Sequence, residues 1–562
     1  MPDNGKAIQP AEEADIEGSS GLAIWRSRAR SLADEFRSDP ARWGSFLLVA
    51  VASAAFAAWL LNLGRQQWFV TDEFDYFNSG HEPLITWLLR PHNEHTIAFT
   101  KAWFGSMSDF VGLRHYGLYM IPLVTAHLVV VAAIYRLTWI STGSRVIATG
   151  TALVSLAMGA AAGTLTWAGQ FQYVGSVAAG LIVILLAVQS STRRAVAVAI
   201  ALTVFGTLNG TAFVAFGLAA SIVYARRRLW GEAILVAAIP IGWELASRFV
   251  WAPQDPYAAH ELGQILREGP AVAYSVLDTA ISQTLGETHL SSAVLTALVL
   301  GTLALISVNI RSRRTALSGR VVVALAMVAI LTMLSLLVAR LALGTKLSSG
   351  GGYSYLFLVA LLPVGGILLG HMARSKAALL GAAGVFLTIS LMGVNTISDK
   401  AASLQSWKIN GAHLMQTAAA ELNAGMPTFP DQVPVPDTAP TVSQEQLRSL
   451  VASGQLDAVI AVPVEADQVS LNMQWRLASA GQTAGVCRDL AAGEGFVVPV
   501  GASVSILGLS PGAAVDLRYA SSIAARQFEV PTTVASLQTL SQRTAAVTVE
   551  AASVRVCLPS WE

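Results

Sequence analysis

The densest run of ionisable groups in the chain is residues 71–95, TDEFDYFNSGHEPLITWLLRPHNEH, set between two long apolar segments. Asp72, Glu73 and Asp75 fall together, and Arg90, His92, Asn93, Glu94 and His95 follow. If the first part is helical, Asp72 and Asp75 share a face. A carboxylate close to a membrane span is partly dehydrated, which raises its pKa and suits it to take a proton from a hydroxyl. The other reading is a solvated loop whose charges keep the span from slipping inward. His92 and His95, with Glu94 nearby, could hold a divalent metal. They could equally contact sugar hydroxyls or phosphate, or cap the amphipathic helix expected at 96–110. The spacing is not that of a HExxH zinc hydrolase.

These groups need a scaffold, and composition says which kind. Of 562 residues, 54% are hydrophobic and only 13% charged, where soluble domains carry about 25% charged. The chain therefore reads as a polytopic membrane protein. Lys+Arg 36 against Asp+Glu 35 leaves no excess positive charge for nucleic acid. No short apolar segment lies near residue 1, so the span at 44–63 is expected to serve as an uncleaved anchor.

Further spans are expected near 116–135, 146–165, 174–190, 195–209, 211–225, 230–249, 290–309, 320–341, 354–370 and 377–396. Each approaches the ~20 residues needed to cross the hydrocarbon. Basic residues occupy every second connection: Arg136/Arg145, Arg193/Arg194, Arg226–Arg228, Arg311/Arg313/Arg314 and Arg374/Lys376. With five arginines in the polar tail 1–43, this alternation sets about eleven crossings, N-terminus inside and C-terminus outside. The pair at 195–225 is tight, with Asn209-Gly210 at its midpoint, and reads either as two short crossings or as a re-entrant hairpin.

The external connections then carry the chemistry. They are residues 64–115, the short WAGQFQY with Gln170 and Gln172, residues 250–289, and KLSSGGGYSY with Lys346, Tyr353 and Tyr355. Arg340 stands at the outer end of the preceding span, at the depth of a lipid phosphate; snorkelling to the interface is the plainer explanation. Embedded ionisable residues are few (His127, Glu232, Glu244, Arg248), which argues against a proton-coupled pump. No P-loop, GxSxG or Cys/His metal pattern occurs.

After residue 397 the character changes. A helical stretch at 398–424 leads to a proline-rich linker, 426–440, and a short helix at 441–454. Then VIAVPV, GFVVPVGASVSILGL, AAVDLRYAS and RTAAVTVEAASVRVCL predict a β-sandwich or α+β module. Outside the cell Cys487 and Cys557 are free to pair, closing a loop of about 70 residues.

Taken together, Asp72-Glu73 in the first external loop, the N-in run of spans, the Arg340–Lys346–GGGYSYLF segment and the external C-terminal module resemble the GT-C superfamily of integral membrane glycosyltransferases. The PHNEH, QFQY and LNG segments add to the likeness, which covers about 44–397. The resemblance implies an all-α, GT-C-like membrane domain (44–397) after a cytoplasmic tail (1–43), with an external C-terminal domain (398–562). It implies inverting transfer of a sugar from a polyprenyl-phosphate donor to a cell-envelope glycan, glycolipid or protein, at the outer face of the plasma membrane. Asp72 would be the base, Glu73 its support or a sugar ligand, and Arg340 and Lys346 would stabilise the phosphate leaving group. Asp75, Arg90, His92, Asn93, Glu94, His95, Gln170, Gln172, Tyr353 and Tyr355 would contact substrate. No metal or other cofactor is implied. The C-terminal part is similar in placement to carbohydrate-binding modules of actinobacterial cell-wall transferases, without the acidic cluster of a calcium-bound one. A polysaccharide polymerase or ligase of the O-antigen type and a non-enzymatic envelope transporter or assembly protein are the alternatives. Neither centres on Asp72.

Overall fold

In the membrane part and the segment leading out of it, the computed structural model describes residues 40–77, 83–93, 95–251, 262–285, 293–294, 296–303, 317–341 and 351–459. In the C-terminal module it describes 463–479, 486–491, 493–498, 503–507, 513–519, 524–529, 534–541, 545–550 and 553–558. The N-terminal tail, Glu94, Lys346 and much of the expected 290–309 span lie outside the described residues.

Among the described residues eight helices are long and apolar enough to cross a membrane. The first is α1 (Pro40–Arg65), followed by the short helices α2 (Leu84–Leu89) and α3 (Ala98–Val111). Then come α4 (Ile121–Thr142), α5 (Arg145–Leu156) and α6 (Phe171–Gln189), with α4 and α6 entered through short turns. The doubtful pair resolves into α7 (Arg193–Asn209) and α8 (Phe213–Arg226), each below the usual spanning length and joined at Gly210. Next are α9 (Trp230–Trp251) and α10 (Leu262–Leu285), the latter a helix inside the expected external loop 250–289. The bundle closes with α11 (Leu317–Arg340), α12 (Gly351–Met372) and α13 (Lys376–Asn423).

α13 departs from expectation. A span at 377–396 and a separate helix at 398–424 are one helix of 48 residues, about 72 Å long. Residues 397–409 (ISDKAASLQSWKI) contain neither Pro nor Gly, so nothing in the backbone stops the helix at the membrane surface. Its outer half buries a stripe of Lys408, Gly411, Ala412, Met415, Ala418, Ala419 and Leu422.

The proline-rich stretch 426–440 is also no loose linker. Val435, Thr438, Ala439 and Val442 are buried, and the segment lies over the loop that follows α1, where Thr438 O accepts from Thr71 N–H at 2.6 Å. It leads into α14 (Gln444–Ala452), whose N-cap Ser443 and Gln446 form a reciprocal capping box. Of the VIAVPV run expected as a strand, residues 460–462 lie outside the described residues, and Pro463 and Val464 open α15 (Pro463–Gln474), with proline at the first helical position.

Among the described residues nine strands follow: β1 (Trp475–Ser479), β2 (Val486–Ala491), β3 (Gly495–Val498), β4 (Ser503–Leu507), β5 (Ala514–Tyr519), β6 (Ala525–Glu529), β7 (Val534–Thr539), β8 (Ala545–Glu550) and β9 (Ser553–Leu558). They form two antiparallel sheets, β1-β7-β4-β9-β2 and β3-β8-β5-β6. Leaving out the edge strand β1, this is the strand order of a jelly roll. Val515, Leu517 and Tyr519 alternate inward along β5, and with Trp475, Val547 and Val556 they fill a core separate from that of the bundle. Cys487 and Cys557 face each other across β2 and β9 and are disulfide-bonded.

Candidate active site

The acid loop is held by its own apolar residues. Beyond α1, Phe69 packs edge-on against Tyr116 and Tyr119 with ring centroids 5.0 and 4.7 Å away. The chain then makes a 3-10 turn, Thr71–Tyr76. Three residues per turn put Asp72 and Asp75 on one side, while Glu73, Phe74 and Tyr76 are buried.

Glu73 is fully enclosed, which bears on the two roles expected of it, support of Asp72 or contact with sugar. Its carboxylate accepts from the Tyr116 hydroxyl (2.7 Å), Gly169 N–H (3.0 Å) and Val70 N–H (3.1 Å). Lys408, from the outer half of α13, donates to Gln67 Oε1 (2.9 Å) and to the Tyr116 hydroxyl (3.3 Å). Burial pushes the Glu73 carboxyl up; the Lys408 charge and the three donors pull the other way. A group so surrounded has no face left for sugar. Glu73 instead ties the acid loop to α4, to the turn before α6 and to α13.

Asp72 and Asp75 flank the His92 ring: Asp72 Oδ2 is 3.5 Å from Nε2 and Asp75 Oδ2 is 3.5 Å from Nδ1. The side chain of His92 is 9% exposed and that of Asp72 is 42% exposed. Asp72 thus has one flank on His92 and another open. Asp75 is more enclosed, hydrogen-bonded to Thr441, and burial raises its carboxyl despite the His92 and Lys101 charges. Tyr76 meets the His92 ring edge-on at 5.1 Å. Lys101 of α3 is buried and donates to Trp87 O (2.9 Å) and Arg90 O (2.8 Å), fixing the approach to His92. The Arg90 side chain is exposed.

A tight turn carries the site onward. His92 and His95 exchange two backbone hydrogen bonds (2.8 and 3.0 Å) around Asn93, which takes the left-handed conformation (φ 51°) that asparagine tolerates. His92 serves the acids, whereas His95 Nδ1 bonds the Thr211 hydroxyl (2.7 Å) and lines a cavity of about 140 Å³. Tyr173, Thr211, Arg340 and Tyr353 share its lining with His95, and Leu218, Leu331, Leu336 and Leu356 line it further along α8, α11 and α12. Arg340, His95, Tyr173, Thr211 and Tyr353 gather at the helix ends nearest the acid loop, and behind them the walls are mostly apolar, with Thr332 and Ser335 the polar residues among them.

Other expected contacts lie elsewhere. Tyr355 is wholly buried with its hydroxyl 3.1 Å from His127 Nδ1, inside the α4–α12 packing rather than in the cavity. Gln170 and Gln172 are buried beside the entrance to α6; a Cβ on Gly352 would stand 3.3 Å from Gln170 Oε1. Among the described residues no group of three or more His, Cys, Asp and Glu has metal-binding geometry.

Sequence reasoning missed Lys408, Tyr116, Lys101, Thr211 and Thr441. Lys408 had a visible signal, a single cation within the i, i+3/i+4 stripe of small and apolar residues on α13. Thr441 had none, because it lies in a stretch that reads as linker.

No family model matches the chain, and no curated protein matches it. Among solved structures it is similar to ArnT from Cupriavidus metallidurans bound to undecaprenyl phosphate, at 13% identity and TM-score 0.43, covering 77% of this chain and 92% of that one. Against ArnT in the apo state the identity is 13% and the TM-score 0.46, covering 78% and 93%.

Proposed function

We propose that the chain is an inverting, GT-C-type membrane glycosyltransferase that takes a sugar from a polyprenyl-phosphate donor at the outer face of the plasma membrane. One observation carries this reading. A cavity with apolar walls and Arg340, His95, Tyr173, Thr211 and Tyr353 at its mouth is joined to the Asp72–His92–Asp75 cluster by a single tight turn. Such a cavity suits a prenyl chain with a phosphate at its end.

In this reading Asp72, open on one flank, removes the proton of the acceptor hydroxyl. The hydroxyl oxygen bonds to the anomeric carbon from the face opposite the phosphate. The carbon–oxygen bond to phosphate breaks, and the polyprenyl phosphate leaves with its charge met by Arg340 and, by sequence position, Lys346. Glu73 anchors the loop, and His92 and Asp75 hold Asp72 in place. The orientation follows the basic connections, which put the acid loop outside with the C-terminal jelly roll. No metal is needed in this scheme. A carbohydrate-binding role for the jelly roll rests on placement alone, since the fold serves many functions.

Replacing Asp72 with Asn in proteoliposomes is expected to slow transfer from polyprenyl-phosphate sugars by about 10²-fold or more. Donor binding should persist in that variant and fall in Arg340→Ala. Transfer at the wild-type rate by a folded Asp72→Asn protein would remove Asp72 from the chemistry.

A further inference from the structure

We propose that an apolar groove between α3, α4, α6 and α7 receives the hydrocarbon chain of a lipid-linked acceptor, so that sugar passes from one lipid to another. This rests on the transferase reading above and selects glycolipid among its acceptor classes.

The groove has a volume of about 690 Å³. Small residues leave it open, namely Ala126 on α4 and Gly175, Ala178 and Ala179 on α6, and aromatic rings from α3, α6 and α7 wall it. Along α4 its lining runs from Ile121 to Val129, and along α6 from Phe171 to Ile182. At 1.5 Å per residue these stretches span about 12 and about 16 Å, roughly half of the ~30 Å hydrocarbon core. Both begin at the ends of the helices nearest the acid loop. The groove therefore has the depth of one leaflet, on the side where the chemistry lies.

Two elements place it beside the site. Helix α3 turns Lys101 and Phe104 towards the acid loop, with Phe104 packed on Tyr76 at 5.2 Å, while Ala102, Trp103 and Ser106 line the groove. A helix is about 10–12 Å across, so a headgroup at the groove's mouth stands one helix width from Asp75. Helix α6 contributes Tyr173 to the Arg340 cavity and Phe171 and Gly175 to the groove. Two slots thus flank one helix. A free glycan or a protein acceptor needs only one of them; transfer between two lipids uses both.

The test is photolabelling of the full chain in nanodiscs with three diazirine lipids: an alkyl glycoside, a polyprenyl phosphate and a phosphatidylcholine. The alkyl glycoside is expected to label α3 and α6 at the groove, and Ala102→Trp should lower that labelling about tenfold, equivalent to 1.4 kcal/mol. Polyprenyl phosphate should label the Arg340 cavity equally in both proteins. Ala179→Phe, filling the same groove from α6, repeats the measurement should Ala102→Trp melt early. The proposal is overturned if phosphatidylcholine labels the groove as strongly as the glycoside, if polyprenyl phosphate is what fills it, or if neither variant reduces glycoside labelling. Retained labelling of the Arg340 cavity in any of those cases leaves the donor reading standing; its absence from wild type counts against that reading separately.

Discussion

At the scale of single residues the acid loop divides its three carboxylates into one buried anchor, Glu73, and two that flank His92. Glu73 and Lys408 sit fully buried about one shared tyrosine hydroxyl. A buried pair is costly to break because one charge is left without its partner. Lys408→Met is therefore expected to destabilise by about 3–5 kcal/mol in detergent unfolding. Adding Glu73→Gln should recover part of that loss, since both charges are then gone. Strictly additive losses would show that the two groups do not interact. Asp75 makes a prediction with a sign in pH. Its carboxyl is raised by burial, so the folded chain holds that proton more tightly than the unfolded one. Stability then falls as pH rises from the ordinary carboxylate range through the raised value. Asn at this position removes the dependence, so the melting temperature of Asp75→Asn relative to wild type should climb as pH rises from the ordinary carboxylate range. A difference that is flat across that rise would argue against a raised carboxyl.

At the scale of elements, most of the spans were legible because an apolar run of about 20 residues has few other uses. Both structures made from polar sequence were misread. The stretch 426–440 looked like a linker because prolines usually mark one, yet Val435, Ala439 and Val442 find buried places over the acid loop. The outer half of α13 looked separate because hydropathy ends at the membrane, whereas the helix hydrogen-bond ladder does not. The seating of α13 depends on Gly393, whose added Cβ would overlap the backbone carbonyl of Ala157. Gly393→Ala should cost about 1–3 kcal/mol through overpacking, read as a lowered melting temperature. An unchanged melt would mean that α13 does not rest on Ala157.

At the scale of the whole molecule, the C-terminal chain returns over the opening loop before it forms the jelly roll. Thr438 bonds Thr71, Thr441 bonds Asp75, and Asp457 pairs with Arg114 at 2.8 Å. The jelly roll itself is closed by Cys487–Cys557, 70 residues apart. Loop closure of that length is worth roughly 4 kcal/mol. Cys487→Ser/Cys557→Ser should lower the unfolding temperature of this module, followed by limited proteolysis, while the bundle stays resistant. Loss of both together would show a single cooperative unit.

Composition and local patterning determined by themselves that this is a helical membrane chain with a strand-rich end, and singled out residues 71–95 as its densest run of ionisable groups. Those properties follow from the solvation of short stretches, which each stretch carries with it. Only the tertiary structure decided that Glu73 anchors while Asp72 faces outward, that Tyr355 is core and Tyr353 is lining, and that Lys408 belongs to the site from more than 300 positions away. Those depend on which side of each helix is covered and on which segments return to meet, and neither is a property of local sequence.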